Sequence, residues 1–458
     1  MPSVPNPHSN SPWRTDFRLT LRLALPLIMA EVGWMSMGVV DTIMVGRMPN
    51  SAVAIGATGL GQSLYNAVAI VGGGLLLGMD TFVSHAYGRE DLHDARTTLA
   101  NGLLLATVLC PVLMTAVAFW PPLMRRFGIS PELVGPMRPF LMALNWGTLP
   151  LLLYFALRRY LQAVNVAIPV MFALVSANVV NAVGDWALIY GHMGFRAEGI
   201  TGSGWSTCIA RIYMASVMAI TLAWVEAKRP RMQQVRIRAA RIWELLKLGS
   251  PAAGQILVEI GAFSGATALC AKLGPVPLSG HEIALNCAAF TFMVPYGISS
   301  AAAVRVGQQL GRHDPDGARR AGWSAVALGV GFMACAGVVF VSIPKIMARA
   351  FSPDPAVVHI GAQLLLVAAA FQLFDGLQVV TTGALRGAGD TKTPMFANLI
   401  AYWFIGIPLG CFLCFYLGWG AVGIWIGLCT GLMIIGSVLL AAWRKKTFRE
   451  LRQVQAAD

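Results

Sequence analysis

Four acidic side chains stand inside long apolar runs: Asp41 in GVVDTIMVG, Asp185 in NAVGDWALIY, Glu259 in ILVEIGAF and Asp375 in FQLFDGLQVV. An ionised group at the middle of a membrane costs about 2.5–3.5 kcal/mol on insertion scales. Each acid therefore needs a proton, a cation or a basic partner. Around Asp41, helical spacing places Trp34, Met37 and Met44 on one face. A carboxylate among thioethers and an indole suits a greasy organic cation, so these three are expected to line a cavity. The competing reading is a structural pair with Arg211. Asn178, Asn181 and Asp185 lie within about 60° of one another at 3.6 residues per turn. Amide, amide and carboxylate in one stripe can hold a proton or a small hard cation, or simply tie helices together. Glu259 and Asp375 lie on different spans and would repel if both were ionised, so one holds a proton or both share a cation. The candidate Na+ pairs are thus Glu259 with Asp375, or Asp41 with Asp185. Phe371 and Gln378 fall on the Asp375 face. Glu31, Asp80 and Arg211 read as structural, with Asp80 an interfacial cap and Glu31 a cross-helix partner of Arg211.

These side chains need a scaffold made almost wholly of membrane helices. The 458 residues are 56% hydrophobic and 12% charged, against about 25% charged in soluble domains. Runs of about 20 apolar residues recur from end to end, each long enough to cross roughly 30 Å of hydrocarbon. Twelve spans are predicted between residues 17 and 443, the second near 53–79, the fourth near 134–157 and the eleventh near 394–417. The fold class is all-α and polytopic: two pseudo-symmetric lobes of six helices around a central cavity. The expected divisions are a mobile tail (1–16), an N-lobe (17–227), a cytoplasmic linker (228–244), a C-lobe (245–443) and a cytoplasmic tail (444–458). With the N-terminus inside, inner segments hold 25 of the 34 Lys and Arg and outer loops hold 8, leaving Arg211 within a span. That asymmetry puts both termini in the cytoplasm of a multi-pass protein of the cell inner membrane. The net charge of +13 is then topological and attracts membrane lipid rather than nucleic acid.

The halves echo each other. Pro26 and Pro251 are 225 apart, as are Pro169 and Pro394. Gly88, Arg89, Asp91, Ala95 and Arg96 recur as Gly311, Arg312, Asp314, Ala318 and Arg319, at an offset of 223. Six spans is an even number, so the repeat is parallel, with its axis along the membrane normal. Such a duplication suits a transporter that rocks two lobes. Enzyme signatures HExxH, GxSxG and GxxxxGK[ST] are absent. The chain is read as no enzyme, without cofactor and without an ATPase of its own. The eight cysteines show no ligand-like spacing and read as small packing residues.

Six segments, in order, resemble the multidrug and toxic compound extrusion (MATE) family, NorM-type branch. They are ALPLIMAEVGWMSMGVVDTIMVGR, GLLLGMDTFVSHAYG, RRYLQAVNVAIPVM, GSPAAGQILVEIGAF, GHEIALNCAAFTFMVPYGISSAAAVRVGQQLG and GALRGAGDTKTPM. The resemblance implies a monomeric antiporter that exports organic cations and other amphipathic toxic compounds by alternating access, coupled to H+ or Na+. It places Asp41, Asn181 and Asp185 in an N-lobe cation site, with Thr201 or Thr207 adding an oxygen. It places Glu259 and Asp375 in a C-lobe site, with Asn286 and Phe292 as neighbours. Phe371 stands where Na+-coupled members carry a tyrosine, and Glu31 where glutamine is expected. The alternative cargo is a lipid-linked glycan, as in related flippases. Being anionic, it would want a basic cavity, which mostly acidic spans do not offer.

Overall fold

The computed structural model describes residues 12–48, 51–126, 130–229 and 235–455. Among them every regular element is a helix. Hydrocarbon offers the backbone no hydrogen-bond partners, so long apolar runs close their own bonds. The helices are α1 (Pro12–Val45), α2 (Ser51–Leu75), α3 (Gly78–Gly88), α4 (Leu92–Ala118), α5 (Trp120–Arg126), α6 (Pro131–Trp146), α7 (Thr148–Ala163), α8 (Ile168–Tyr190), α9 (Ile200–Ala227) and α10 (Ala239–Lys272). There follow α11 (Pro275–Gly311), α12 (Pro315–Ser342), α13 (Pro344–Phe351), α14 (Pro355–Gly387), α15 (Lys392–Asn398), α16 (Ile407–Cys411) and α17 (Gly420–Gln455). Two π-helical stretches, Leu399–Gly406 and Phe412–Tyr416, flank α16.

Among the described residues, eleven helical segments are long and apolar enough to cross a membrane. A twelfth span results when α6 and α7, bent by 43°, are counted as one. That span reaches from Pro131 to Ala163, further than the predicted 134–157. The extra turns carry Arg158 and Arg159, which the charge count had assigned to a loop; both are buried. The second span also runs on, from Val53 to Gly88, and takes Asp80 inside the fold.

The chain forms two compact units, Met29–Leu257 (the N unit) and Met1–Ile28 with Val258–Asp458 (the C unit). These bounds fall within α1 and α10, shortly after Pro26 and Pro251. Small residues explain the membership. In the N unit a Cβ on Gly74 would lie 2.6 Å from the Ala253 backbone, and one on Gly249 2.0 Å from the Leu75 carbonyl oxygen. In the C unit a Cβ on Gly297 would lie 2.7 Å from the Ile28 nitrogen. Backbones this close admit only glycine, so the start of α10 is part of the N unit and the start of α1 part of the C unit.

The sequence repeat returns as a repeat of backbone chemistry. Asp91 and Asp314 cap α4 and α12, accepting from the backbone N–H of Asp94 (2.9 Å) and Gly317 (2.7 Å). Glu90 and His313 just before them are left-handed, with φ of 61° and 59°. Asn165 (φ 65°) and Gly389 (φ 75°) do the same ahead of α8 and α15. Each left-handed residue ends one helix sharply, and each aspartate starts the next.

Candidate functional site

In the N unit three helices bring the acids together. The Asn181 amide on α8 donates to the Asp41 carboxylate on α1 and, at 3.4 Å, to Asp185 one turn along its own helix. Thr207 on α9 donates to Asp41 at 3.4 Å. Ser206 donates to the Asn181 carbonyl at 2.7 Å. The bare Gly184 makes room for it, since a Cβ there would lie 2.6 Å from Ser206 Oγ. Asn181 and Asp185 are wholly buried. One amide thus serves two carboxylates, a local excess of acceptors over donors that suits a proton or another cation.

Not every candidate joins this cluster. Asn178 donates to Gly33 O and Leu174 O, each at 2.9 Å, and so ties α8 to α1. Thr207, not Thr201, reaches Asp41; Thr201 sits six residues earlier, near the start of α9. Met37 is buried in the apolar core of the unit, and Met44 packs against Val45, Ala54 and Ile189. Met37 therefore fills core, while Met44 is half-buried. Trp34 packs on Phe155, with ring centroids 5.9 Å apart.

The buried bases also differ from expectation. Glu31 pairs with Arg158, and Asp80 pairs with Arg159 at 3.3 Å. Arg211 takes neither. Its guanidinium lies over the Tyr65 ring at 4.4 Å and donates to Leu144 O at 3.3 Å. Its charge still acts on Asp41. Glu31 and Asp80 were the available signal: two acids in apolar helices called for two bases, and RRYLQA supplies them.

In the C unit Asp375 is buried on α14, and Glu259 is half-buried on α10. Aromatic rings surround the pair. Phe371, one turn before Asp375, packs edge-on to Phe263 at 6.0 Å and against Trp425 at 5.7 Å. Phe263, one turn after Glu259, packs edge-on to Tyr402 at 6.0 Å. Trp425 donates to His281 Nδ1 at 3.0 Å, and Thr267 Oγ1 lies 2.9 Å from His281 Nε2. Because an indole N–H can only donate, His281 carries its proton on Nε2 and is neutral. Gln378 donates to Asn398 at 3.4 Å, a tie between α14 and α15 and not a ligand of the acids. Asn286 is exposed and donates to Glu282 O at 2.8 Å; Phe292 stacks on Tyr296 at 5.7 Å. An apolar recess of about 330 Å³ lined by Trp323, Val330, Phe374 and Leu440 lacks polar groups and adds nothing to this chemistry.

Sequence reasoning did not single out Tyr402, which lies buried in the apolar core of the C unit. Its hydroxyl is one polar atom in LIAYWFIG, and the stretch is π-helical, so a 3.6-residue period cannot assign its face. Among the described residues no cluster of three or more His, Cys, Asp or Glu forms a metal site. The donors present are hard oxygens, which suit H+ or an alkali cation.

Eleven or twelve apolar helical spans among the described residues, in two units that each bury an aspartate, define a multi-pass helical membrane protein. The MatE family model matches residues 26–187 and 251–412, two stretches that start 225 residues apart. The chain belongs to this family. It is 35% identical over 453 residues to "Probable multidrug resistance protein NorM" of Mesorhizobium japonicum, covering 95% of each chain. It is likewise 35% identical over 444 residues to the NorM protein of Pseudomonas putida, covering 94% of this chain and 95% of that one. The fold matches the eukaryotic MATE transporter AtDTX14 with a TM-score of 0.85 at 20% identity, over 97% of this chain and 100% of that one. An outward-facing multidrug resistance MATE transporter of the MOP superfamily matches with a TM-score of 0.84 at 17% identity, over 95% of this chain and 96% of that one.

Proposed function

We propose that the chain exports organic cations and other amphipathic toxic compounds across the cell inner membrane, in exchange for H+ or Na+. The observation that carries this reading is the Asn181 amide shared between Asp41 and Asp185. The names of the 35%-identical relatives support the cargo class. Facing outward, the carboxylates take up the ion. Neutralised, they release the cationic drug and can be occluded at less cost. Facing the cytoplasm, lower Na+ or higher pH strips the ion, and the freed carboxylate draws the next drug. The membrane potential adds about 2.3 kcal/mol per net charge per 100 mV. The drug shifts the equilibrium only as far as it binds one state better. Both termini face the cytoplasm, and the protein acts as a monomer.

The test is ethidium or fluoroquinolone efflux by Asp41→Asn and Asp375→Asn at equal expression. Both variants are expected to lose efflux; wild-type efflux in both would overturn the reading. Dye efflux from vesicles under a pure Na+ and then a pure pH gradient assigns the ion. The lipid-linked glycan alternative finds no support in Arg158 and Arg159, which are paired with Glu31 and Asp80.

A further inference from the structure

We propose that the apolar recess between α12, α14 and α17 holds an acyl chain of an anionic membrane phospholipid, with the lipid phosphate on the Arg444 guanidinium. This goes beyond the exchange reading and takes from it only the cytoplasmic placement of the C-terminus. The recess measures about 330 Å³, and each helix gives it an apolar wall. Trp323, Ala327 and Val330 on α12 follow the spacing of one helix face, and Leu373 and Leu377 on α14 stand one turn apart. Leu440 on α17 closes it. Ala327 and Leu373 are exposed, so the recess opens outward. All three helices are long and apolar enough to cross a membrane, where the medium that meets an open apolar wall is lipid chain. Leu373 and Leu377 flank Asp375 at two residues on either side, hence on the opposite face of α14, so the recess is separate from the acids.

Bare positions shape it. A Cβ on Gly322 would lie 2.2 Å from the Trp443 ring, one on Gly436 3.3 Å from Leu377 and one on Gly329 2.5 Å from Val380. These contacts hold the three helices at fixed spacing. The charge at one end identifies the occupant. Arg444 stands one turn beyond Leu440, close to the end of that span at Thr447. Its guanidinium lies over the ring of Trp323, a wall of the recess, at 5.7 Å. A guanidinium seated on a ring uses its face, which leaves the N–H groups at its edge for phosphate oxygens. Arg444 is exposed, and among the described residues no carboxylate pairs with it. A cation at the cytoplasmic end of an apolar groove between membrane helices fits an acidic lipid headgroup, and the cytoplasmic leaflet is the anionic one. The same charge opposes an organic cation, the class of cargo proposed above.

The experiment titrates the full-length purified protein, in detergent micelles, with phosphatidylglycerol or phosphatidylcholine carrying brominated chains, which quench tryptophan on contact. Quenching of Trp323 is the wild-type signal less that of Trp323→Phe. Expected is saturation at about fivefold less phosphatidylglycerol than phosphatidylcholine, the effect of one basic side chain at an acidic lipid surface. Arg444→Gln should abolish that preference, and Arg444→Lys should keep most of it. Lys445→Gln removes the same charge from a different helix face and should leave the preference intact. Ala327→Phe fills the recess and should abolish Trp323 quenching by either lipid. No Trp323 quenching in wild type, as a second copy seated in the recess would give, overturns the proposal. So does equal affinity for the two lipids, a loss in Lys445→Gln equal to that in Arg444→Gln, or full quenching in Ala327→Phe. Because Arg444 is exposed, Arg444→Gln tests the headgroup contact even if Ala327→Phe does not fold. None of these readouts requires transport, so they stand or fall separately from the exchange reading.

Discussion

The two carboxylate pairs lie in the two halves of a duplicated chain, at positions the repeat does not relate, and sit in different company. Asp41 and Asp185 are dressed by an amide and a hydroxyl and lie within reach of the Arg211 charge. Asp375 and Glu259 are walled by Phe263, Phe371 and Tyr402, which offer rings and one hydroxyl. Hydrogen-bond donors stabilise a carboxylate in its charged form; rings do not. The duplicated halves share caps, turns and proline positions, and diverge where the acids are. Repeated backbone chemistry maintains the fold, while unequal surroundings allow two sites to differ in what they bind.

The comparison can be broken at the acids first. Asp41→Asn and Asp375→Asn should each lower dye efflux at least tenfold, about 1.4 kcal/mol or more of lost coupling; one silent variant would make a single unit sufficient. The largest effect on stability should come from the Glu31–Arg158 ion pair of the N unit. Arg158→Ala leaves Glu31 buried and alone, which should cost about 3–5 kcal/mol of stability, read as lower yield and melting temperature. Arg158→Met with Glu31→Met should recover most of that loss. Asn181→Ala removes the shared donor and should cost about 1–3 kcal/mol in binding of the coupling ion, read as a shift in the ion dependence of efflux. The two threonines sharpen the assignment on α9. Thr207→Val should weaken that same dependence about threefold, a loss of under 1 kcal/mol, and Thr201→Val should leave it unchanged. The shared frame comes last: Asp91→Ala and Asp314→Ala should each cost about 1 kcal/mol of stability, read as a lower melting temperature.

Much of this was readable beforehand because the physics is local. A run of apolar residues declares a span, and an offset of 223 to 225 declares a duplication. A stripe at 3.6 residues per turn put Asn181 and Asp185 on one face, and Asp41 joins them across helices. Failures came where information is not local. Arg158 and Arg159 looked like loop charge because a helix bent at Gly147 keeps going. Thr201 and Thr207 both match a loose pattern, and only packing chooses between them. Asn286 and Phe292 share the C unit with Asp375; the one is exposed and the other stacks on Tyr296. Tyr402 escaped because π winding breaks the period that assigns faces.

The partition of α1 and α10 between the units bears on how such a chain could arise. Each unit is completed by the leading stretch of the opposite repeat: residues before Met29 serve the C unit, and residues up to Leu257 serve the N unit. A half-length ancestor would have had to lend its opening segment to a twin, as domain-swapped pairs do. Gene fusion would then have made a reciprocal loan permanent. Fragments cut in the 228–244 stretch should therefore be poor folders singly and regain activity only when produced together.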